Sequence, residues 1–546
     1  MEIKYKQVLE NAFYQLLVIY TILILLASLN LFWKFSLQFQ IFALILGFLG
    51  IIVVNKVDIS KPVKDKKDKE TKETYYKYLT LKNYFYPLLF LALFLIILFR
   101  IIPYINNPIP LGYDTGIYKY AVEHGLTNLD NWVLRSVEPG FLYLMSIFKP
   151  ILSTHSILTY LLIFFSLILG LAVYLVASEF FGKEVGLIAI FIYALSFAQF
   201  LTFTYMYYKN IIALSLALFS IYYLKKYDST RNKWFLFLFI LLGGLTGAIH
   251  RPTFYIYGLS YFFYAFISPY NKKYDYKLML HNILYGIIIL AIAGIFYIGI
   301  FSPSITQIIE PVLQGFVQTG ESPGTFINFF TYQFSTLTYL PFAILGFFYL
   351  IRKRKFNMLF FWTLITTIIV YFQFFFFNRF IIHLDIMLII LASLGFFIII
   401  KDNKKLGLII LILMLFSSAF VLLKEARDTK PLINDAELNT IQYLSTLESN
   451  AYVMTTSSVY SPWVLGYSDR KTIAPGLFDY DKHIESEWND FWKTTDINKI
   501  KQFMDSYQKP LYIFIGEKQN DNLKDLKQCF NLTYNNGNNK VYQYLC

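Results

Sequence analysis

The chain has 546 residues, of which 57% are hydrophobic and only 15% charged, with a formal net charge of +13. A soluble domain carries about a quarter charged residues, so this apolar excess cannot be hidden in a water-solvated core, and lipid must solvate most of it. The positive balance does not mark a nucleic-acid binder: residues 424–546 hold 14 Lys/Arg against 16 Asp/Glu, so the excess lies in short polar gaps between apolar runs, the positive-inside pattern of a membrane protein.

Apolar runs about one bilayer thick predict helical spans near 12–33, 35–54, 84–102, 155–178, 186–202, 210–224, 234–250, 252–268, 279–301, 336–351, 357–377, 380–400 and 406–423. The first run lacks a small-residue cleavage site and reads as an anchor, not a signal peptide. The expected fold is an all-α polytopic bundle of about thirteen transmembrane helices with a small C-terminal α/β domain. Alternate gaps carry Lys61–Lys72, Lys183, Lys225/Lys226/Arg231/Lys233, Lys272/Lys273/Lys277, Arg352–Lys355 and Lys401/Lys404/Lys405. These gaps are read as cytoplasmic. An odd number of spans then leaves the N-terminus inside and the tail outside, in a multi-pass cell-membrane protein.

Four segments follow: a hairpin at 1–54, a charged cytoplasmic linker at 55–83, a transmembrane domain at 84–423 and an outer domain at 424–546. Two outer loops are long, 103–154 and 302–335. Within the first, Pro139–Leu152 is apolar but short, an interfacial or re-entrant helix. The second holds Pro303, Pro311, Gly315, Gly320, Pro323 and Gly324, and reads as a lid over an outer cavity or as a disordered loop. In the tail, Asp435–Glu448 reads as a helix, and Ala451–Thr455 and Leu511–Ile515 as strands. Phe530–Tyr534 and Val541–Leu545 read as a hairpin around Asn535–Asn539. With Gly537-Asn538 as its turn, Cys529 faces Cys546 across the ladder, a possible disulfide, or else two free thiols. Asn531-Leu532-Thr533 is a glycosylation sequon. Trp463, Trp488 and Trp492 could stack on sugar rings or form the domain core.

If the Lys-rich gaps face inward, charged residues on the outer side are few: Asp114, Lys119, Glu123, His124, Arg135, Glu138, Lys149, Lys209, Arg251, Glu310 and Arg379. Asp114 lies in Gly112-Tyr113-Asp114-Thr115-Gly116, ahead of an amphipathic helix expected along the interface. Its carboxylate could cap that helix or deprotonate an acceptor hydroxyl. Lys209, Arg251 and Arg379 stand at outer ends of spans, where they could snorkel or together bind a phosphate. His383 shares a helix face with Arg379 and joins Lys209, Arg251 and Arg379 as a candidate for binding the donor phosphate. Asp385 lies within the same span, where an Asp–His bond between helices is the structural alternative.

With GYDTGIY around Asp114, Glu138-Pro139-Gly140-Phe141-Leu142-Tyr143, AVYLVASEFFGKEVGLIAIFIYALS at Ala172–Ser196, and Arg379 near the start of a late span, the chain resembles the GT-C superfamily of integral-membrane glycosyltransferases. The resemblance covers roughly 84–423 and, loosely, the tail. It implies a sugar donor on polyprenyl phosphate, a glycan or protein acceptor, a catalytic carboxylate at Asp114 and a phosphate-binding Arg379. Lys209 and Arg251 join them by location only. Many such relatives pair two acids in the first loop where this chain has Asp114-Thr115, so either Glu138 supplies the second carboxylate or the enzyme uses one. Some relatives hold a divalent metal there; the resemblance makes one possible, and the residues here give no metal-ligand spacing. A polysaccharide polymerase or ligase and a lipid-glycan flippase are the competing functions.

Overall fold

The computed structural model describes residues 2–29, 36–57, 59, 81–105, 107–125, 137–270, 276–298, 326–374, 377–455, 459–473, 481–519, 521, 523 and 528–546. Most of the expected linker and lid, together with Arg135 and Glu310, lie outside the described residues.

The hairpin comprises α1 (Glu2–Ser28), α2 (Ser36–Leu49) and α3 (Ile51–Lys56). The first core helix, α4 (Leu81–Ile101), leads into two short outer helices, α5 (Thr115–His124) and α6 (Pro139–Phe148). Then come α7 (Leu162–Phe181), α8 (Lys183–Ala194), α9 (Phe197–Thr204), α10 (Tyr208–Thr230), α11 (Lys233–Ile249), α12 (Arg251–Tyr270) and α13 (Tyr276–Ile295). The bundle closes with α14 (Phe329–Ser335), α15 (Leu340–Arg352), α16 (Met358–Tyr371), α17 (Phe377–Asp402) and α18 (Lys404–Asp428).

Among the described residues, seven helices are long and apolar enough to cross a bilayer, and up to nine if each bent pair counts once. The bent pairs are α8 with α9, at 52°, and Phe329–Thr338 with α15, at 79°. The remaining expected spans are occupied by α10, α11, α12 and α16, which are helical but too short or insufficiently apolar to meet that test alone. The chain is a multi-pass membrane protein.

The long apolar helices find no hydrophobic drive to associate in lipid, so close approach of small residues and interhelical hydrogen bonds hold them. The clearest case is α15 against α17. A Cβ on Gly346 would run into the Leu391 carbonyl, and one on Gly395 into the Phe342 carbonyl. Phe342 and Phe396 stack beside this contact with centroids 3.6 Å apart. As a result α17 is the central helix, nearly all of it enclosed by protein. The hairpin shares the same continuous core through Phe13, Leu17 and Tyr20. It is tied to the bundle by Tyr14 donating to Asp402 at 2.6 Å and by Lys56 bridging Glu10 at 2.6 Å and Asp402 at 3.3 Å.

The tail folds around a five-stranded sheet of β1 (Tyr452–Thr455), β2 (Lys471–Ile473), β3 (Leu511–Ile515), β4 (Phe530–Asn536) and β5 (Asn539–Tyr544), ordered β2-β1-β3-β5-β4. The β1 strand pairs parallel with β2 and β3, and β5 is antiparallel to both β3 and β4. Helices α19 (Asp435–Tyr443), α20 (Ser461–Ser468), α21 (Glu485–Lys493) and α22 (Ile497–Met504) complete it. The α19 helix starts with a capping box, Asn434 accepting from the Glu437 amide at 2.8 Å and Glu437 from the Asn434 amide at 2.9 Å.

In the hairpin of β4 and β5, Asn536 pairs with Asn539 around Gly537, which takes a φ of 67°. A bulge between Leu532 and Tyr534 then shifts the register by one, so Phe530 faces Tyr544. The simple outward count is therefore wrong at its far end. Cys529 accepts through its carbonyl from the Leu545 amide, and Cys546 lies one residue beyond. The Cys529–Cys546 disulfide nevertheless closes, with Cα atoms 5.0 Å apart, because Cys546 follows the end of β5. Trp463 and Trp488 are core residues, and Trp492 is half-buried and stacks on Trp488 at 5.4 Å.

Candidate active site

The turn before α5 begins with Gly112, whose φ of +84° and close approach to Met206 exclude a side chain. The Thr115 hydroxyl donates back to the Leu111 carbonyl and tightens the turn. Asp114 stands at the N-cap position of α5, yet its side chain makes no capping hydrogen bond. Its carboxylate oxygens are therefore not engaged in a capping hydrogen bond. The apolar face of α5 is covered by protein: Thr115, Gly116, Ile117, Tyr118, Ala121 and Val122 are buried, and the helix packs against α20 of the tail.

Asp114 is surrounded by protein but keeps part of its surface open to solvent, as expected of a group in a recess. Burial pushes its carboxyl above the ordinary range, while the charges of Lys209 and Arg379 pull against that shift. Lys209 sits in the first turn of α10 and Arg379 in the first turn of α17. Arg379 also stacks over the Phe326 ring at 5.4 Å.

Glu138 precedes Pro139 at the start of α6 and is 3% exposed. Its carboxylate meets Lys209 Nζ at 2.6 Å and Arg251 Nε at 3.7 Å, and accepts from the Arg251 amide at 3.4 Å. Burial pushes this carboxyl up, but Lys209, His250 and Arg251 outweigh it and hold it at about 2. Glu138 is thus a fixed anion that orders two cations. Lys209 links it electrostatically to Asp114.

His383 lies below, fully buried, one turn along α17 from Arg379. Its Nε2 is 2.8 Å from Thr253 Oγ1, which is also 2.8 Å from His250 Nδ1. His250 and Thr253 extend the cluster. Sequence reading passed over both, although His250 adjoins Arg251 at the end of a span. Arg100 was likewise hidden inside the span 84–102. It is 1% exposed, with its guanidinium over Tyr193 at 5.3 Å and Phe203 at 5.9 Å. Asp385 does not bond His383. It accepts from Gln199 at 2.7 Å, Ser196 at 3.0 Å and the Tyr339 hydroxyl.

The remaining outer charges serve α5 and its neighbours. Lys119 pairs with Glu123 at 2.5 Å, Lys149 donates to the Glu123 carbonyl at 2.5 Å, and His124 lies 3.6 Å from Asp469. Among the described residues no three His, Cys, Asp or Glu side chains gather as a metal cage requires. The two carboxylates of the cluster, Asp114 and Glu138, each have cations beside them.

The sequence model of the dolichyl-phosphate-mannose-protein mannosyltransferase family matches residues 136–297. That segment contains Glu138, Lys209, Arg251 and Thr253. No curated protein matches the chain by sequence. Its fold is similar to that of the Archaeoglobus fulgidus oligosaccharyltransferase in the apo form, at 13% identity and a TM-score of 0.59, covering 81% of this chain and 70% of that one. A second structure of that archaeal protein, AglB in complex with an inhibitory peptide and a dolichol-phosphate, gives 12% identity and a TM-score of 0.57, over the same 81% and 70%. ArnT from Cupriavidus metallidurans bound to undecaprenyl phosphate gives 8% identity and a TM-score of 0.59, covering 85% of this chain and 98% of that one. The chain therefore shares the fold of these oligosaccharyltransferase and ArnT structures, and its residues 136–297 match the mannosyltransferase family model.

Proposed function

We propose that the protein transfers a sugar from a polyprenyl-phosphate donor to a glycan or protein acceptor at the outer face of the membrane. The observation that carries this reading is Asp114, an uncapped, partly accessible carboxylate under the field of Lys209 and Arg379. In a single displacement the acceptor oxygen attacks the anomeric carbon. The new carbon–oxygen bond forms as the bond from that carbon to the phosphate oxygen breaks. Asp114 takes the acceptor proton, and polyprenyl phosphate leaves with the bonding pair. Arg379, with Lys209 and Arg251, faces the negative charge that grows on the leaving phosphate. His383 supports this group from below through Thr253. No step is assigned to a metal.

The charge balance supports a monophosphate donor. Lys209, Arg251 and Arg379 stand against Asp114 and Glu138. The cluster therefore carries one net positive charge, which a singly charged phosphodiester neutralises. We take the topology to be thirteen spans with the N-terminus inside, the linker 55–83 inside, and residues 424–546 outside. Division into 1–54, 55–83, 84–423 and 424–546 follows that topology.

The test is to supply the purified protein in lipid nanodiscs with polyprenyl-monophosphate sugar or polyprenyl-diphosphate sugar and an acceptor mixture. Transfer from the monophosphate donor is the expected result. Transfer from the diphosphate donor alone would point to a polymerase or ligase. In proteoliposomes, movement of the lipid-linked sugar without transfer would replace the enzyme by a flippase.

A further inference from the structure

We propose that the C-terminal α/β domain is a positioning element for Asp114, acting through a contact between Gly116 of α5 and Gly466 of α20. This rests on reading Asp114 as the base. The two helices meet backbone to backbone. A Cβ on Gly116 would overlap the Pro462 carbonyl, and a Cβ on Gly466 would overlap the Gly116 carbonyl. Gly116 is two residues from Asp114, so the helix start that carries the carboxylate has α20 as its roof. Its other wall is the segment leading to Lys209: a Cβ on Gly112 would lie 2.6 Å from Met206 Cβ and 2.9 Å from the Tyr205 carbonyl carbon. The Asp114 turn is thus wedged between the tail and the backbone just ahead of Lys209.

An independent feature pins the same turn. Ile109, five residues before Asp114, is 4% exposed within the core of the tail, among Tyr460, Trp463 and Val464. In exchange, Leu465 of α20 is 3% exposed within the core of the bundle. Each body inserts an apolar side chain into the other, on either side of Asp114. The far end of α5 is held as well, by Lys119 over the Tyr467 ring at 4.8 Å and by His124 near Asp469 at 3.6 Å. A carboxylate that must meet an acceptor oxygen depends on its placement: an error of about 1 Å can lower a rate by about 100-fold.

The experiment uses the full chain in nanodiscs with a polyprenyl-monophosphate sugar donor. Gly466→Ala is compared with wild type for kcat, for donor affinity and stoichiometry, and for hydrogen exchange of the amides at 115–118. The expected result is a kcat lowered by about 10- to 100-fold, donor affinity and stoichiometry retained, and faster exchange at 115–118. Ile109→Val, which removes one methyl group, gives the same split in smaller measure and serves if Gly466→Ala does not fold. An unchanged kcat in both variants overturns the proposal. So does a kcat that falls only in step with the donor-binding fraction, because that marks a merely structural tail. Asp114→Asn in the same assay separates the two readings. If it retains full transfer, the assignment of Asp114 fails; if it is inactive while Gly466→Ala and Ile109→Val are normal, only the positioning role fails.

Discussion

Two acidic centres lie near each other along α17, and they are built in opposite ways. Asp385, fully buried, is met by neutral donors on three sides, Gln199, Ser196 and Tyr339. About 9 Å up the helix, at the level of Arg379, the outer centre sets Asp114 and Glu138 among cations and leaves Asp114 partly open. Neutral donors fixed around a carboxylate spend its hydrogen-bonding capacity on joining helices. Cations beside an uncapped carboxylate leave a field that a substrate can use. Glu138 stands between the two cases: it is charged and paired with cations, but enclosed, and its work is to hold Lys209 and Arg251 in place.

Substitutions can break this contrast, starting with the largest effect expected on donor binding. Arg379→Gln should weaken polyprenyl-phosphate binding by about 10- to 100-fold, the loss of a hydrogen bond to a charged group, as measured by donor titration in nanodiscs. It should also move the acid limb of kcat/KM to higher pH. Asp114 is active as the anion, so activity falls as pH drops through its pKa, and one of the two cations that pull this pKa down is then gone. A limb that stays in place would separate Arg379 from Asp114.

Glu138→Gln should destabilise the protein by about 3–5 kcal/mol, because it removes the buried anion that pairs with Lys209 and Arg251. Thermal unfolding in detergent reads this. The sign with pH follows from its carboxyl, held at about 2 against an ordinary 4.5. Its stabilising contribution is complete above pH 4.5 and is lost as pH falls towards about 2, a dependence that Glu138→Gln should lack. Smallest in effect, Asp385→Asn should cost about 1–3 kcal/mol through buried donors left poorly matched. It should leave kcat per folded molecule unchanged. A large loss of kcat there would erase the distinction between the two centres.

Much of the architecture was legible because it follows from periodicity and charge. The apolar runs predicted the order of the helices, and a short, wholly apolar and buried run in the tail predicted Leu511–Ile515 to the residue. Sorting charges by side of the membrane also brought Asp114, Glu138, Lys209, Arg251 and Arg379 into one short set. Three features were beyond that reasoning. The bulge at Leu532/Tyr534 depends on tertiary packing, so counting outward from the turn missed the shift. Arg100 reads as part of an apolar run, since a cation buried against Tyr193 and Phe203 leaves no local pattern. The α5 helix has the pattern of an interfacial helix, because the tail that covers it lies more than 300 residues away in sequence, a separation visible in its contact with Ser461–Ser468.

The central claim is that Asp114 is the chemical carboxylate, whereas its neighbours bind and brace. Single-turnover transfer by Asp114→Asn, with donor affinity measured on the same sample, tests it most directly. The rate should fall by about 100- to 10,000-fold, the range expected for loss of a general base. Donor binding and thermal stability should stay near wild type. A variant that still transfers sugar at the wild-type rate, or one whose defect lies entirely in donor binding, would contradict it.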